Sequence, residues 1–290
     1  MVREKTWGIG MTDVFDGFKK KKEYLVCIDS DGCAMDTMDI KHFRCFGPCM
    51  IREWGLEPWG DAIQKRWNEI NLYTMTRGIN RFKGLEIALR EADSRFRKIE
   101  GINELTKWTE LATEVSNNNL EQYMQDHKNP ILAKALAWSQ EVNRQVERLP
   151  EADKVPFGGV RLAIKTLHQA ADVAVVSSAN QQAIMEEWKT QGLLQYTDVV
   201  LSQDAGSKAY CIKRLLEAGY EKDHVLMIGD APGDRDAAES NGVLYYPILV
   251  KHEHESWERI LEEAMGKFVD GSYPGDYQKE LNREFEANLA

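Results

Sequence analysis

The stretch Tyr24 to Thr37, YLVCIDSDGCAMDT, constrains the chain more than any other. A short apolar run, Tyr24 to Ile28, delivers two carboxylates separated by a single residue, Asp29 and Asp31, and Gly32 follows. An apolar run of this length, bounded by a glycine turn, reads as a buried strand rather than a helix. Asp29 and Asp31 then close that strand at its carboxyl end, where open α/β sheets place their ligands.

Other short apolar runs later in the chain also end in polar groups. Val173 to Val176 runs into SSAN, Ser177 to Asn180, and Val225 to Ile228 runs into GDAPGD, Gly229 to Asp234. Val199 to Leu201 is a further short strand, and Leu244 to Val250 is a last one, placed at an edge by Pro247. Helical patterns separate these runs: Arg161 to Ala170, Gln181 to Gln191, Lys208 to Glu217, and Asp236 to Ser240, which stops at Asn241-Gly242. Short strands alternating with helices predict βαβ units and a parallel sheet. Right-handed crossovers put all its strand ends on one edge. Asp29, Ser177 and Asp230, far apart in sequence, are therefore expected to converge.

From Asp39 to about Arg148 the pattern is helical almost throughout. Ile63, Trp67 and Ile70 recur at helical spacing, as do Leu85, Ala88 and Leu89. A wholly helical insert between strand-rich regions reads as a separate bundle. VPFGGV, Val155 to Val160, marks the return to the first domain. The expected division is residues 1–36 and 155–290 as a catalytic core, with 37–154 as a helical insert. Residues 1–23 are polar, with a short helix expected around Val14 to Phe18. After Lys251 a helix pair broken by GSYPGD is expected, with His252 and His254 on the surface.

Composition narrows the functional classes. A length of 290 residues suits two domains at ~150 residues each. The net charge of −10 argues against nucleic acid as a partner, because backbone binding needs clustered Lys and Arg. No apolar run approaches the ~20 residues that span a bilayer. The N-terminus lacks the apolar core of a signal peptide. A cytoplasmic protein without a membrane partner, monomeric or homodimeric, is expected. The five cysteines show neither zinc spacing nor a disulfide framework and read as reduced packing residues.

The strand ends together define a chemistry. Asp29, Asp31, Asp230 and Asp234 would repel one another if left bare, and a hard divalent cation relieves this. Mg²⁺ takes one or two carboxylates, waters and a phosphate oxygen. Lys208 adds a fixed positive charge, and Ser177 and Ser178 add hydroxyl donors. This set suits a phosphoryl group better than a carbonyl. A carboxylate can serve as nucleophile, and a second one two residues on can serve as general acid and base. Each piece alone has a plainer meaning: GDxxxD can be an acidic helix start, and Ser177-Ser178 a helix cap. Their joint order at strand ends outweighs those meanings.

In that order the motifs resemble those of the haloacid dehalogenase superfamily, in its phosphatase branch. DSDGCAMDT resembles the family's DxDGT…D, Ser177 and Lys208 its second and third motifs, and GDAPGDRDAAESNG its GDxxxDxxAAxxAG. The resemblance implies an α/β fold: a Rossmann-like, three-layer parallel-sheet core with an inserted all-helical cap. It implies Asp29 as nucleophile and Asp31 as general acid and base. Mg²⁺ would be held by Asp29, the Asp31 backbone carbonyl and Asp230. Ser177 and Lys208, with Ser178 beside them, would hold the phosphoryl group, and Asp234 would orient Lys208 or reach the metal through water. Asp36 is expected as the hinge residue into the cap. An acid at Asp31 favours phosphate over halide chemistry. Cys33 stands where the family has Thr or Val and is expected to be tolerated as a small apolar residue.

Within the cap, DTMDIKHFRCF resembles the family's sugar-phosphate mutase and phosphatase group, which is β-phosphoglucomutase-like and has a histidine near the place of His42. The match carries one extra residue here. TRGINRF resembles that group's substrate-contacting cap segment and points to Arg77 and Arg81. The expected function is Mg²⁺-dependent hydrolysis of a small phosphorylated metabolite, such as a sugar phosphate, through an aspartyl-phosphate. A phosphosugar mutase is the alternative reaction. A non-catalytic metal- or phosphate-binding module is the alternative of another class, and intact Asp29 and Asp31 count against it.

Overall fold

A computed structural model describes residues 14–112 and 114–290 of the chain. The strands are β1 (Tyr24–Ile28), β2 (Ala171–Val176), β3 (Val199–Leu201), β4 (Val225–Gly229) and β5 (Leu244–Pro247). They form one parallel sheet in the order β3-β2-β1-β4-β5. Strand β1 lies at its centre, with Ile28 opposite Val175 on one side and Ile228 on the other. The strands read as continuous apolar runs because both faces of a parallel sheet are covered.

Alternate residues serve the two faces. Val26, Ile28, Val173, Val175 and Ile228 pack on the helices Val160–Ala170 and Gln181–Thr190 and on the C-terminal helices through Trp257 and Phe268. Leu25, Cys27, Ala174, Val176 and Met227 pack on Lys208–Leu216 and Pro232–Asn241. This is the three-layer α/β arrangement expected from the sequence. Strand β5 is an edge strand, as Pro247 required, and it ends at that proline rather than running to Val250.

Between β1 and β2 every regular element of the described residues is helical. Trp54, Trp67, Phe82, Trp108 and Trp138 fill a hydrophobic centre of their own, distinct from both sheet faces. Their rings meet edge to face, Phe82 on Trp108 with centroids 5.0 Å apart and Trp67 on Trp138 at 5.9 Å. Such contacts add directional attraction to the burial of large apolar area.

The crossings into and out of this bundle lie side by side. Asp36 N–H donates to the Val155 carbonyl at 2.8 Å, and Phe157 N–H to Ala34 at 3.1 Å. The expected helix around Val14 to Phe18 is instead a turn over residues 14–17. The chain after Lys251 forms helical residues 253–270 and the helix Asp276–Asn288, separated by the expected loop. Among the described residues no helix is long and apolar enough to cross a membrane.

Candidate active site

The site begins with the turn that follows β1. Asp29 N–H still donates to Ile228 in the sheet, and the Ser30 carbonyl then accepts from Cys33, Ala34 and Met35. So tight a reversal needs the left-handed conformation of Gly32, φ 80°. The turn is gripped from outside. The Trp188 indole donates to Ser30 Oγ at 2.9 Å, and that of Trp257 to the Cys33 carbonyl, also at 2.9 Å. Asp29 and Asp31 are therefore presented on a rigid loop.

Asp29 is buried, and its two oxygens have separate partners. Oδ1 accepts the Ser30 N–H at 2.8 Å, and Oδ2 lies 2.8 Å from Lys208 Nζ. Lys208 starts its helix, which Ser207 caps, and also reaches Asp234 Oδ1 at 2.5 Å. The other Asp234 oxygen accepts the Ala231 N–H at 3.0 Å. Asp234 is thus committed to orienting Lys208 and closing the turn after β4. Burial pushes the Asp29 carboxyl up to about 6, with Lys208 opposing and Asp234 adding to the rise. Lys208 is held above its ordinary value. Burial works against its charge, and Asp234 and Asp29 outweigh it.

Asp230 closes β4 beside Asp29. The Arg77 guanidinium, from the turn before the helix Arg81–Arg95, donates through Nε to Asp230 Oδ2 at 2.6 Å, with both groups buried. Asp230 Oδ1 is buried with no hydrogen-bond partner. Burial raises Asp230 to about 6, Arg77 opposing and Asp29 adding. Among the described residues, Asp29, Asp230 and Asp234 each bring an oxygen within 4.8 Å of the others. Hard, closely set carboxylate oxygens with one orphaned among them fit a hard divalent cation. Ser177 closes β2, buried, and its Oγ accepts the Ala179 N–H at 3.3 Å, which leaves the hydroxyl proton to donate elsewhere. Ser178 is exposed.

Asp31 sits at the mouth of the site. Its Oδ1 accepts from Thr37 Oγ1 at 2.6 Å and from Lys41 Nζ at 2.7 Å. Lys41 is buried and also lies 3.2 Å from Glu187 Oε1. Burial alone would raise the Asp31 carboxyl, but Lys41 and Thr37 outweigh it and hold it below its usual value.

The residue that meets Asp31 from the insert is thus Lys41, and not His42. The His42 ring stacks on Phe46 at 4.6 Å and accepts the Trp67 indole N–H at 3.0 Å. Burial, with Arg77 adding to it, drives its pKa down to about 3, so the ring is neutral. Arg81 also turns into the bundle. It donates to Asn143 at 2.7 Å and Ser139 at 3.1 Å and lies 5.1 Å from the centre of the Phe46 ring. Of the two cap arginines only Arg77 reaches the carboxylates.

Lys41 carried a signal in the sequence. Thr37 and Lys41 are four apart, the spacing that places two side chains on one helix face. Glu187 carried none, since it reads as an ordinary helical acid until the fold brings it to Lys41. Cys33 is buried with its thiol 3.6 Å from the Ile228 carbonyl, and burial together with the nearby Asp230, Asp29 and Asp234 keeps it protonated. It is a packing residue.

The sequence pattern that defines haloacid dehalogenase-like hydrolases matches residues 92–246. That span carries Ser177, Lys208, Asp230 and Asp234 and begins after Asp29 and Asp31. No curated protein matches the chain. Among solved structures, one from Lactobacillus delbrueckii subsp. bulgaricus, provisionally named a phosphoglycolate phosphatase, is 14% identical with a TM-score of 0.54. The likeness covers 84% of this chain and 98% of that one and extends to the fold. A Thermotoga maritima structure provisionally named a β-phosphoglucomutase is 16% identical with a TM-score of 0.49, over 84% of this chain and 99% of its own. A Streptococcus pneumoniae hydrolase of the haloacid dehalogenase-like family is 12% identical with a TM-score of 0.48, over 81% and 90%. With its four motifs gathered at one sheet edge and more than half its length matching the family's pattern, the chain belongs to the haloacid dehalogenase-like hydrolases.

Proposed function

We propose that the chain is a Mg²⁺-dependent phosphomonoesterase that works through a phosphorylated Asp29. The observation that carries this reading is the buried array of Asp29, Lys208 and Asp234, with Asp31 on the same rigid turn. Of the described residues, 14–36 and 155–290 form the catalytic core, and those between 37 and 154 form the cap that covers it.

Asp29 has Oδ1 fixed by the Ser30 N–H and Oδ2 beside Lys208, and Oδ2 is the oxygen that would attack a phosphoryl group drawn in by that lysine. Its attack would form the aspartyl-phosphate and break the bond to the leaving oxygen, to which Asp31 would give a proton that it must first take up against the pull of Lys41 and Thr37. Asp31 then takes a proton from water. That water attacks the phosphorus, releases phosphate and restores Asp29. Lys208 and the Ser177 hydroxyl hold the phosphoryl oxygens through both steps. Asp29, the Asp31 carbonyl and Asp230 would hold Mg²⁺, which when bound would supply positive charge between an anionic nucleophile and an anionic phosphoryl group.

A cavity of about 240 Å³ lies between cap and core beside the turn, lined among others by Gly32, Met38, Asp39, Arg77 and Lys251 but by none of Asp29, Asp31, Ser177 and Lys208. The resemblance of DTMDIKHFRCF and TRGINRF to the family's sugar-phosphate group supports a small phosphomonoester such as a sugar phosphate.

Replacement of Asp29 by Asn tests the reading. Phosphate release from 4-nitrophenyl phosphate with Mg²⁺ should fall by about 10³-fold or more, the scale on which loss of a nucleophile acts. The circular dichroism spectrum should be unchanged, and stripping divalent ions from the wild type should stop turnover until Mg²⁺ is returned. Substantial activity in the Asn variant would sink the nucleophile assignment. A screen of sugar phosphates, scored for free phosphate and for isomerised product, separates a phosphatase from a mutase.

A further inference from the structure

Lys41, on the first helix of the cap, and Glu187, on the core helix Gln181–Thr190, are buried charges outside the chemistry just described. Lys41 Nζ stands 2.7 Å from Asp31 Oδ1 and 3.2 Å from Glu187 Oε1. An ammonium buried to this degree is stable only with its partners in place. Glu187 is equally buried and has Lys41 as its ion-pair partner. We propose that Lys41, anchored by Glu187, is a positioning residue that aims the Asp31 carboxylate at the leaving oxygen while the cap is seated on the core.

The geometry gives the pair this work. Thr37 and Lys41 both donate to the same oxygen, Oδ1. Two donors on one oxygen fix the rotation of the carboxylate and leave Oδ2 for the leaving oxygen, on a side chain that keeps 26% of its exposure. Lys41 alone could not do this, because four rotatable bonds leave a lysine head free to wander. Glu187 removes that freedom. Its neighbour Trp188 grips Ser30 of the same turn, so one core helix holds both the loop that carries Asp31 and the lysine that aims it.

The hinge gives the pair a second consequence. Asp31 and Glu187 lie on the core side of the paired crossings at Asp36 and Val155, and Lys41 lies on the cap side. Opening the cap withdraws Lys41 from both carboxylates, so Asp31 is aimed only when the cap is closed. Closure of this kind completes a catalytic site and excludes water.

This inference rests on Asp31 acting as the general acid, and the test keeps the two ideas apart. The readout is kcat/KM for 4-nitrophenyl phosphate, whose leaving group needs little protonation, against phenyl phosphate, which has nearly the same shape and a poorer leaving group. Because kcat/KM ends at expulsion of the phenol, the later attack of water does not enter it. Asp31→Asn should lose far more on phenyl phosphate than on the nitro compound. A flat loss there would overturn the general-acid reading itself.

Given a selective loss in Asp31→Asn, Lys41→Met should lose about tenfold or more on phenyl phosphate and less than about threefold on the nitro compound, a fraction of the 10² to 10⁴ a general acid supplies. Glu187→Gln keeps the shape and one hydrogen bond. It should shift the same ratio about threefold, and it serves if Lys41→Met does not fold. Equal losses on both substrates in these two variants, or none, would show a merely structural pair and overturn the proposal.

Discussion

Gly32 sits where a side chain would be both strained and crowded. Its φ of 80° is a conformation that costs an L-residue roughly 1–2 kcal/mol. A Cβ there would also stand 2.6 Å from Arg77 Nη2, 2.7 Å from Asp230 Oδ2 and 2.8 Å from Met38 Sδ. Side chains of the cap, Arg77 and Met38, and of the core, Asp230, thus crowd one hydrogen of Gly32. Gly32→Ala should destabilise the fold by about 2 kcal/mol and weaken Mg²⁺ binding, since Asp230 must shift. Urea unfolding and Mg²⁺ calorimetry would measure both effects. Gly17→Ala, in a turn with nothing within 4 Å, is the control and should stay within about 0.5 kcal/mol. Equal behaviour of the two variants would remove Gly32 from this role. Gly32 was legible as a turn residue in the sequence, but the crowding around it was not, because Arg77 and Asp230 arrive from distant parts of the chain.

Among the elements, legibility followed the range of the forces involved. Strands β1, β2 and β4 were readable because each is a short apolar run whose end is marked by its own polar residues. A parallel sheet then leaves no choice about where those ends gather. The first cap helix was readable as a helix, but its register was not. Thr37 and Lys41 face Asp31, and a step of about 100° to the next residue turns His42 into the bundle. A likeness that needed an extra residue to place the histidine was one step out of register on a helix.

The C-terminal helices were unreadable in purpose because what they do is entirely tertiary. Trp257 donates to the carbonyl of Cys33, and Phe285 packs edge to face on Tyr245 of β5. The tail is therefore part of the scaffold of the turn that carries Asp29. Trp257→Phe would leave the buried Cys33 carbonyl without that donor and open a void. The expected loss is roughly 2–4 kcal/mol, seen as a lower urea midpoint. A midpoint within error of the wild type would show that the tail merely rests on the turn.

The whole molecule is a core and a cap joined by paired crossings and held together across the cleft by charge. Arg77 on Asp230 and Lys41 on Glu187 are buried contacts. The third clasp is at the rim. Lys251, in the loop after β5, reaches Asp39 of the cap at 2.6 Å and lies 4.9 Å from the centre of the Tyr73 ring. Tyr73 in turn donates to Asp39 at 2.8 Å. Lys251 holds a left-handed backbone, φ 67°, the one non-glycine residue to do so among those described.

A clasp 62% exposed on the lysine side is worth under ~1 kcal/mol and is screened by salt. That is too little to matter for folding, but it is on the scale of an equilibrium between open and closed caps. Lys251→Met keeps the backbone strain and removes only the charge. Its unfolding midpoint should therefore match the wild type, while KM rises by up to about fivefold, the kinetic equivalent of the clasp. In the wild type KM should rise with ionic strength, and in the variant that part of the rise should vanish. If both proteins show the same salt dependence, the rim pair does not govern closure. The cap would then be held by the buried contacts at Arg77 and Lys41, and opening would have to break the same bond that aims Asp31.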